Sequence, residues 1–207
     1  MELERSSAID RLQSRVVSID EFNFDRLSAP PLYSLLSQQD IDALYHIATS
    51  IKYSGNARKK YQAIDSIMKP RGFVKLSAGT NRVVYKFLED DRFVVKVAVD
   101  AVGIKDTPRE FMNQHIFKPF VTKVFEVSPC GTVGTFERVI PITSREEFLS
   151  VAENIYEVIN DWFIGEYIMA DIGTKFFMNW GIRKSLIIGV YCRNTVDYDL
   201  FELLGKG

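Results

Sequence analysis

Lys96 stands in the middle of Phe93-Val-Val-Lys-Val-Ala-Val99, seven residues of which the other six are all apolar. A run this rich in β-branched residues reads as a buried strand. An ammonium ion there cannot stay unpaired. It needs an anionic partner, a snorkelling route to water, or a phosphate supplied by a ligand. Upstream lies a glycine-bearing turn, Ala78-Gly-Thr-Asn-Arg82, and Glu110 lies fourteen residues downstream.

The rest of the composition limits what such a strand can belong to. With 207 residues, 46% hydrophobic and 13% aromatic, the chain can bury a real core as one substantial domain, or one domain with an extension. A net charge of -1 argues against nucleic-acid binding through general basicity. Two cysteines, Cys130 and Cys192, with two histidines cannot assemble a zinc motif, so reduced thiols in a cytosolic protein are expected. The opening Met1-Glu-Leu-Glu-Arg5 has mixed charge and no apolar run, so no signal peptide is expected. No stretch approaches the roughly 18 apolar residues of a membrane span.

Residues 1–36 read as an appendage, with Ile9, Leu12 and Val16 at helical spacing and a break at Ala29-Pro-Pro-Leu32. The arm is expected to pack on the domain or on a partner. Ser37-Gln-Gln-Asp40 begins a firmer helix carrying Ile41, Leu44, Ile47, Ala48 and Ile51, which Ser54-Gly55 ends. A second helix spans about 56–68 and stops at Lys69-Pro70; its Arg58-Lys-Lys60 reads as a solvated face. From Gly72 the period becomes that of strands: 73–76, 82–87 and 92–98, the last two joined as a hairpin by Glu89-Asp-Asp91. Thr107-Pro108 predicts the N-cap and first turn of a helix holding Glu110, Phe111 and His115. Strands at 121–127 and 132–140 flank the turn Ser128-Pro-Cys-Gly131, and Ser144-Arg-Glu-Glu147 is a capping box for a long helix reaching Trp162 and Phe163. The tail holds a polar loop, an apolar strand at Leu186–Val190 and Val196-Asp-Tyr-Asp199. The fold class is α+β. Helices occupy 1–69, a mainly antiparallel five-stranded sheet 70–142, and a reduced helical part 143–207.

This order of elements resembles the protein-kinase-like fold, including its small-molecule phosphotransferases, over about 70–205. Four phrases are also similar to an uncharacterised family of tailed-bacteriophage proteins: Gly79-Thr-Asn-Arg-Val-Val-Tyr85, Lys96-Val-Ala-Val-Asp100, Val133-Gly-Thr-Phe-Glu-Arg-Val139, and Asp171-Ile-Gly-Thr with Asn179-Trp-Gly-Ile-Arg183. The kinase resemblance implies ATP and Mg²⁺ as cofactors. It implies that Gly79 lets the turn approach phosphates, that Lys96 holds the α- and β-phosphates, and that Glu110 keeps Lys96 aimed. Glu137 to Ile140, with Val139 between them, would be a hinge offering backbone groups to an adenine edge. Asp171 would be the catalytic base, and Asn179 and Asp197 would coordinate Mg²⁺.

The pattern also departs from a working kinase. Its turn has a single glycine, and Arg82 sits where a small residue would help a loop fold over phosphates. Met169-Ala170 replaces the His-Arg that precedes the catalytic aspartate, and Asn179 follows Asp171 by eight positions, more than the kinase pattern. Asp197-Tyr198-Asp199 lacks the glycine of the metal segment, and only ten residues follow Asp197, so no docking lobe for a peptide substrate is expected. His46 and His115 read as structural or solvated, and Trp180 as packing the loop onto the domain. Two functions follow. The first is a phage-encoded, catalytically eroded binding or structural protein with a protein partner, in the virion or against a host factor, in the cytoplasm of the infected bacterium or in the particle. The alternative is a minimal Mg-ATP-dependent phosphotransferase. Neither reading places the protein in a membrane or on nucleic acid.

Overall fold

The computed structural model describes residues 27–51, 56–117, 122–141, 144, 180–183 and 186–189. The chain divides into two compact units: Asp25–Lys118 with Lys123–Arg138, and Met1–Phe24 with Pro119–Thr122 and Val139–Gly207.

The first unit begins with a single turn, α1 (Leu32–Leu35), then α2 (Gln38–Thr49) and α3 (Ala57–Met68). Helix α2 starts as its sequence predicts. Ser37 Oγ accepts the Asp40 N–H at 3.1 Å, and the Asp40 carboxylate accepts the Ser37 N–H at 3.0 Å, a reciprocal capping box. It ends at Thr49, so Ile51, expected on its apolar face, lies 88% exposed. Asn56 caps α3 through the Lys59 N–H. A 3₁₀ turn at Lys69–Arg71 then delivers the chain to the sheet through Gly72.

Five antiparallel strands follow: β1 (Phe73–Ala78), β2 (Arg82–Phe87), β3 (Phe93–Ala98), β4 (Val124–Val127) and β5 (Val133–Glu137), in the order β1-β2-β3-β5-β4. The expected five-stranded antiparallel sheet and the β2–β3 hairpin are both present. Alternation sorts the sheet into two faces. One carries Phe73, Val83, Tyr85, Phe93, Val95 and Val97, and these share a single hydrophobic cluster with Leu32, Leu36, Ile41, Leu44, Ile64 and Met68 of the helices. The change of period at Gly72 is therefore a change of element type within one core. The opposite face carries Lys96 and a smaller cluster of Val94, Val124 and Phe136, with Val84 and Val127 packed against it.

Helix α4 spans Ala101–Phe117, about two turns longer at its start than Thr107-Pro108 predicts. The cap is Asp100, whose carboxylate accepts the Gly103 N–H at 2.8 Å. Pro108 sits inside the helix, where it has no N–H to give Ile104 O. That carbonyl faces the β4–β5 turn at Gly131, whose φ of 74° and lack of a Cβ allow the approach. Thr107 is not a cap; its hydroxyl donates back to Gly103 O at 3.1 Å.

The two sheet edges differ. Along β4, the Gln114 side chain gives Nε2–H to Val124 O at 3.0 Å and accepts Val124 N–H at 2.7 Å, standing in for a further strand. The segment before α1 is bound there too: Leu32 N–H donates to Glu126 Oε2 at 2.6 Å, and Lys123 Nζ donates to Leu27 O at 2.7 Å. The described end of the arm thus packs on the domain. Strand β1 exposes Val74 and Leu76.

In the second unit, β6 (Ile140–Pro141), β7 (Trp180–Arg183) and β8 (Leu186–Gly189) form an antiparallel sheet in that order. The strand expected over 132–140 is thus two strands in two sheets, and Trp180, expected in a loop, opens β7. Among the described residues no helix is long and apolar enough to cross a membrane.

Candidate functional site

Strand β3 places Lys96 opposite Val84 on β2 and Gly134 on β5, in the interior of the sheet. Both flanking strands hold its backbone, so only the four-carbon stem can move. The side chain is 6% exposed. Its ammonium lies 3.2 Å from Glu110 Oε2 and 4.0 Å from the centre of the Phe136 ring. The expected pairing of Lys96 with Glu110 is present, and α4 supplies it.

A second cation joins them. Arg82, the first residue of β2, donates Nη2–H to Glu110 Oε1 at 2.5 Å, with the two side chains 4% and 8% exposed. Glu110 therefore divides its carboxylate, one oxygen to each cation. Burial alone would raise its pKa. The charges of Arg82 and then Lys96, with their hydrogen bonds, outweigh that and hold it below the ordinary value of 4.5. Sequence reasoning treated Arg82 as an obstacle to phosphate binding and missed this role. The signal was available in the pairing. Arg82 and Val84 share a face of β2, and Val84 sits opposite Lys96, so Arg82 is a diagonal neighbour of the lysine.

The Gly79 turn is fastened to the body around it. Gly79 N–H donates to Arg82 O at 2.8 Å, Tyr61 of α3 donates its hydroxyl to Gly79 O at 3.1 Å, and Val99 N–H donates to Asn81 O at 2.8 Å. The same Asn81 carbonyl presses on Gly103 of α4 so closely that a Cβ there would overlap it. Asn81 is buried, while Gly79 itself is exposed.

Glu137 is buried at the end of β5. Its carboxylate accepts the Lys123 N–H at 3.1 Å, and its own N–H donates to Lys123 O at 2.8 Å. The Arg138 N–H donates to Arg92 O at 3.1 Å. Asp171, Asn179 and Asp197 lie outside the described residues, so no geometry joins them to Lys96. His46 is exposed, in keeping with a solvated residue. Among the described residues no group of three His, Cys, Asp or Glu could hold a metal ion.

The Lys96 face is a buried apolar layer of Val94, Val124 and Phe136 with Val84 packed against it, and the ammonium lies over the Phe136 ring. Buried in this way, it serves as an inner packing layer.

No protein-family model matches the chain, and no curated protein sequence matches it. Among solved structures, it is similar to that of the streptomycin-ATP-APH(2")-IIa ternary complex, at 16% identity and a TM-score of 0.31. The match covers 49% of this chain and 35% of the other, so this chain spans about a third of that protein's length.

Proposed function

We propose that this is a phage-encoded, kinase-like protein that works by binding a protein partner, in the virion or against a host factor, and not by phosphoryl transfer. The observation that carries this reading is the fastening of the Gly79 turn. A turn that is to fold over a phosphate chain needs free backbone N–H groups and room to close. Here the Gly79 N–H is spent on Arg82 O, and the carbonyls of Gly79 and Asn81 are tied to α3 and to the end of β3. The Arg82 side chain, which a phosphate site could use, is committed to Glu110 at 2.5 Å. The kinase-like assignment rests on the order of elements and on the Lys96–Glu110 pair; the phage assignment rests on the four phrases quoted above.

The test is thermal unfolding with and without Mg-ATP. A site filled at a hundred times its Kd adds about 2.7 kcal/mol. The expected result is no shift at saturating Mg-ATP. A saturable stabilisation that disappears in Lys96→Met overturns the reading.

That outcome would favour the second reading, a minimal Mg-ATP phosphotransferase, for which the Lys96–Glu110 pair is the supporting observation. The described residues do not fit a full triphosphate cradle, because the turn's glycine N–H is spent and the apolar layer beside Lys96 is buried. The metal ligands this reading needs, Asn179 and Asp197, and its base, Asp171, are outside the described residues.

A further inference from the structure

The chain treats the two edges of its five-stranded sheet differently. At β4 it occupies them itself: Gln114 answers both the N–H and the C=O of Val124, and the segment at 27–32 is bonded to Lys123 and Glu126. Beyond β1 no further strand pairs among the described residues, and positions 74–78 are all exposed. The bonds at its two ends fix which way its backbone points. Leu88 N–H donates to Gly72 O at 3.0 Å and Gly79 N–H to Arg82 O at 2.8 Å. Alternation along an antiparallel pair then turns the N–H and C=O groups of Lys75 and Ala78 away from β2. A charged side chain commonly guards such an edge. Here Lys75, the one charge on β1, is drawn to Asp65 of α3 at 2.8 Å, and Val74 and Leu76 stand 39% and 45% exposed beside it. Helix α3 lies along this strand, with Tyr61 bonded to Gly79 and Asp65 to Lys75. Residues 57–78 carry six lysines and arginines against one acidic side chain, Asp65, in a chain of net charge -1. Even with Asp40 of α2 on Arg71, the excess stays positive.

We propose that β1 is a docking edge that takes, as a sixth strand, an extended acidic segment of a protein partner in which apolar and acidic residues alternate. The inference rests on the protein-partner reading above and gives it a place and a chemistry. Main-chain bonds to Lys75 and Ala78 hold the segment, Val74 and Leu76 meet its apolar side chains, and its carboxylates answer the basic excess. The bulge between Lys75 and Ser77 interrupts the edge, so the outward backbone groups are few and charge does the selecting. A second copy of this chain is a poor occupant, because pairing two β1 edges sets one basic region against another.

The experiment follows hydrogen exchange of the full chain with two short synthetic peptides, one alternating valine with glutamate and one alternating valine with lysine. The glutamate peptide is expected to slow exchange at the Lys75 and Ala78 amides by about tenfold or more, and less as salt rises. The lysine peptide is expected to leave both amides unchanged. Leu76→Glu, a change at an exposed position, is expected to abolish the slowing while the melting temperature holds. The proposal is overturned if the glutamate peptide leaves the two amides unprotected, or if both peptides protect them equally. It is also overturned if the amides slow with protein concentration alone, which would make the occupant a second copy. Failure here is distinct from failure of the partner reading: peptides without effect withdraw this edge, whereas only a Lys96-dependent shift with Mg-ATP withdraws that reading.

Discussion

Glu110 is a residue on which two elements depend, since it links α4 to both Arg82 on β2 and Lys96 on β3. Glu110→Gln removes the charge and leaves two cations side by side. The expected cost is about 3–5 kcal/mol, read by urea unfolding at neutral pH. The same group gives a pH signature. Its folded pKa lies below 4.5, so the folded protein keeps this carboxylate charged where the unfolded chain takes up a proton. Its contribution is complete above about 4.5 and is lost as the pH falls through the lower folded value. Stability measured downward from that point should fall less steeply in Glu110→Gln than in the parent. The slope should shrink and not vanish, because Asp65 also sits low: burial works against it, and hydrogen bonds from Lys75, Tyr85 and Lys69 prevail. Lys96 and Glu110 were legible in the sequence because one ammonium in an apolar run demands a partner. Arg82 was not, since an arginine beside a turn looks solvated until strand register places it diagonally from the lysine.

Helix α4 shows how local signals compete. Thr107-Pro108 looks like a cap followed by a first-turn proline, yet the helix begins at Ala101 because Asp100 already caps the Gly103 N–H. Pro108 leaves the Ile104 carbonyl without its helical N–H, and that carbonyl lies where a side chain at position 131 would overlap it, a tertiary demand for Gly131 that no window of sequence reveals. The helices and strands with clean periodicity, α2, α3 and β1 to β3, were legible for the opposite reason: their caps and alternation are local. Gly103 is the contact through which α4 meets the Gly79 turn. Gly103→Ala should push Asn81 away and loosen its bond to Val99, at a cost of about 1–3 kcal/mol by overpacking. Faster hydrogen exchange at the Val99 amide would report it. An unchanged Val99 rate would mean that the turn is held by Tyr61 and its own hydrogen bond alone.

For the molecule as a whole, the decisive packing is between the helices at 32–68 and one face of the sheet. Leu36 is 1% exposed and belongs to the same cluster as Tyr85 and Val95. Leu36→Ala should therefore cost about 2–5 kcal/mol and lower the sheet's own unfolding midpoint, although Leu36 precedes the first strand by more than thirty residues. Loss confined to α1, with sheet amides unaffected in exchange, would contradict a shared core. Sequence periodicity could assign each element but not this shared burial, because a helical stripe and a strand face look the same whether or not they meet. The binding at the β4 edge has a consequence for biosynthesis. Leu27 and Leu32 bond to Lys123 and Glu126 across separations of 96 and 94 residues. At elongation rates of about 5–20 residues per second the segment waits roughly 5 to 20 seconds for its seat to be translated. The first described stretch of the chain to leave the ribosome thus emerges long before its own seat, and until then its leucines are what a nascent-chain chaperone would meet.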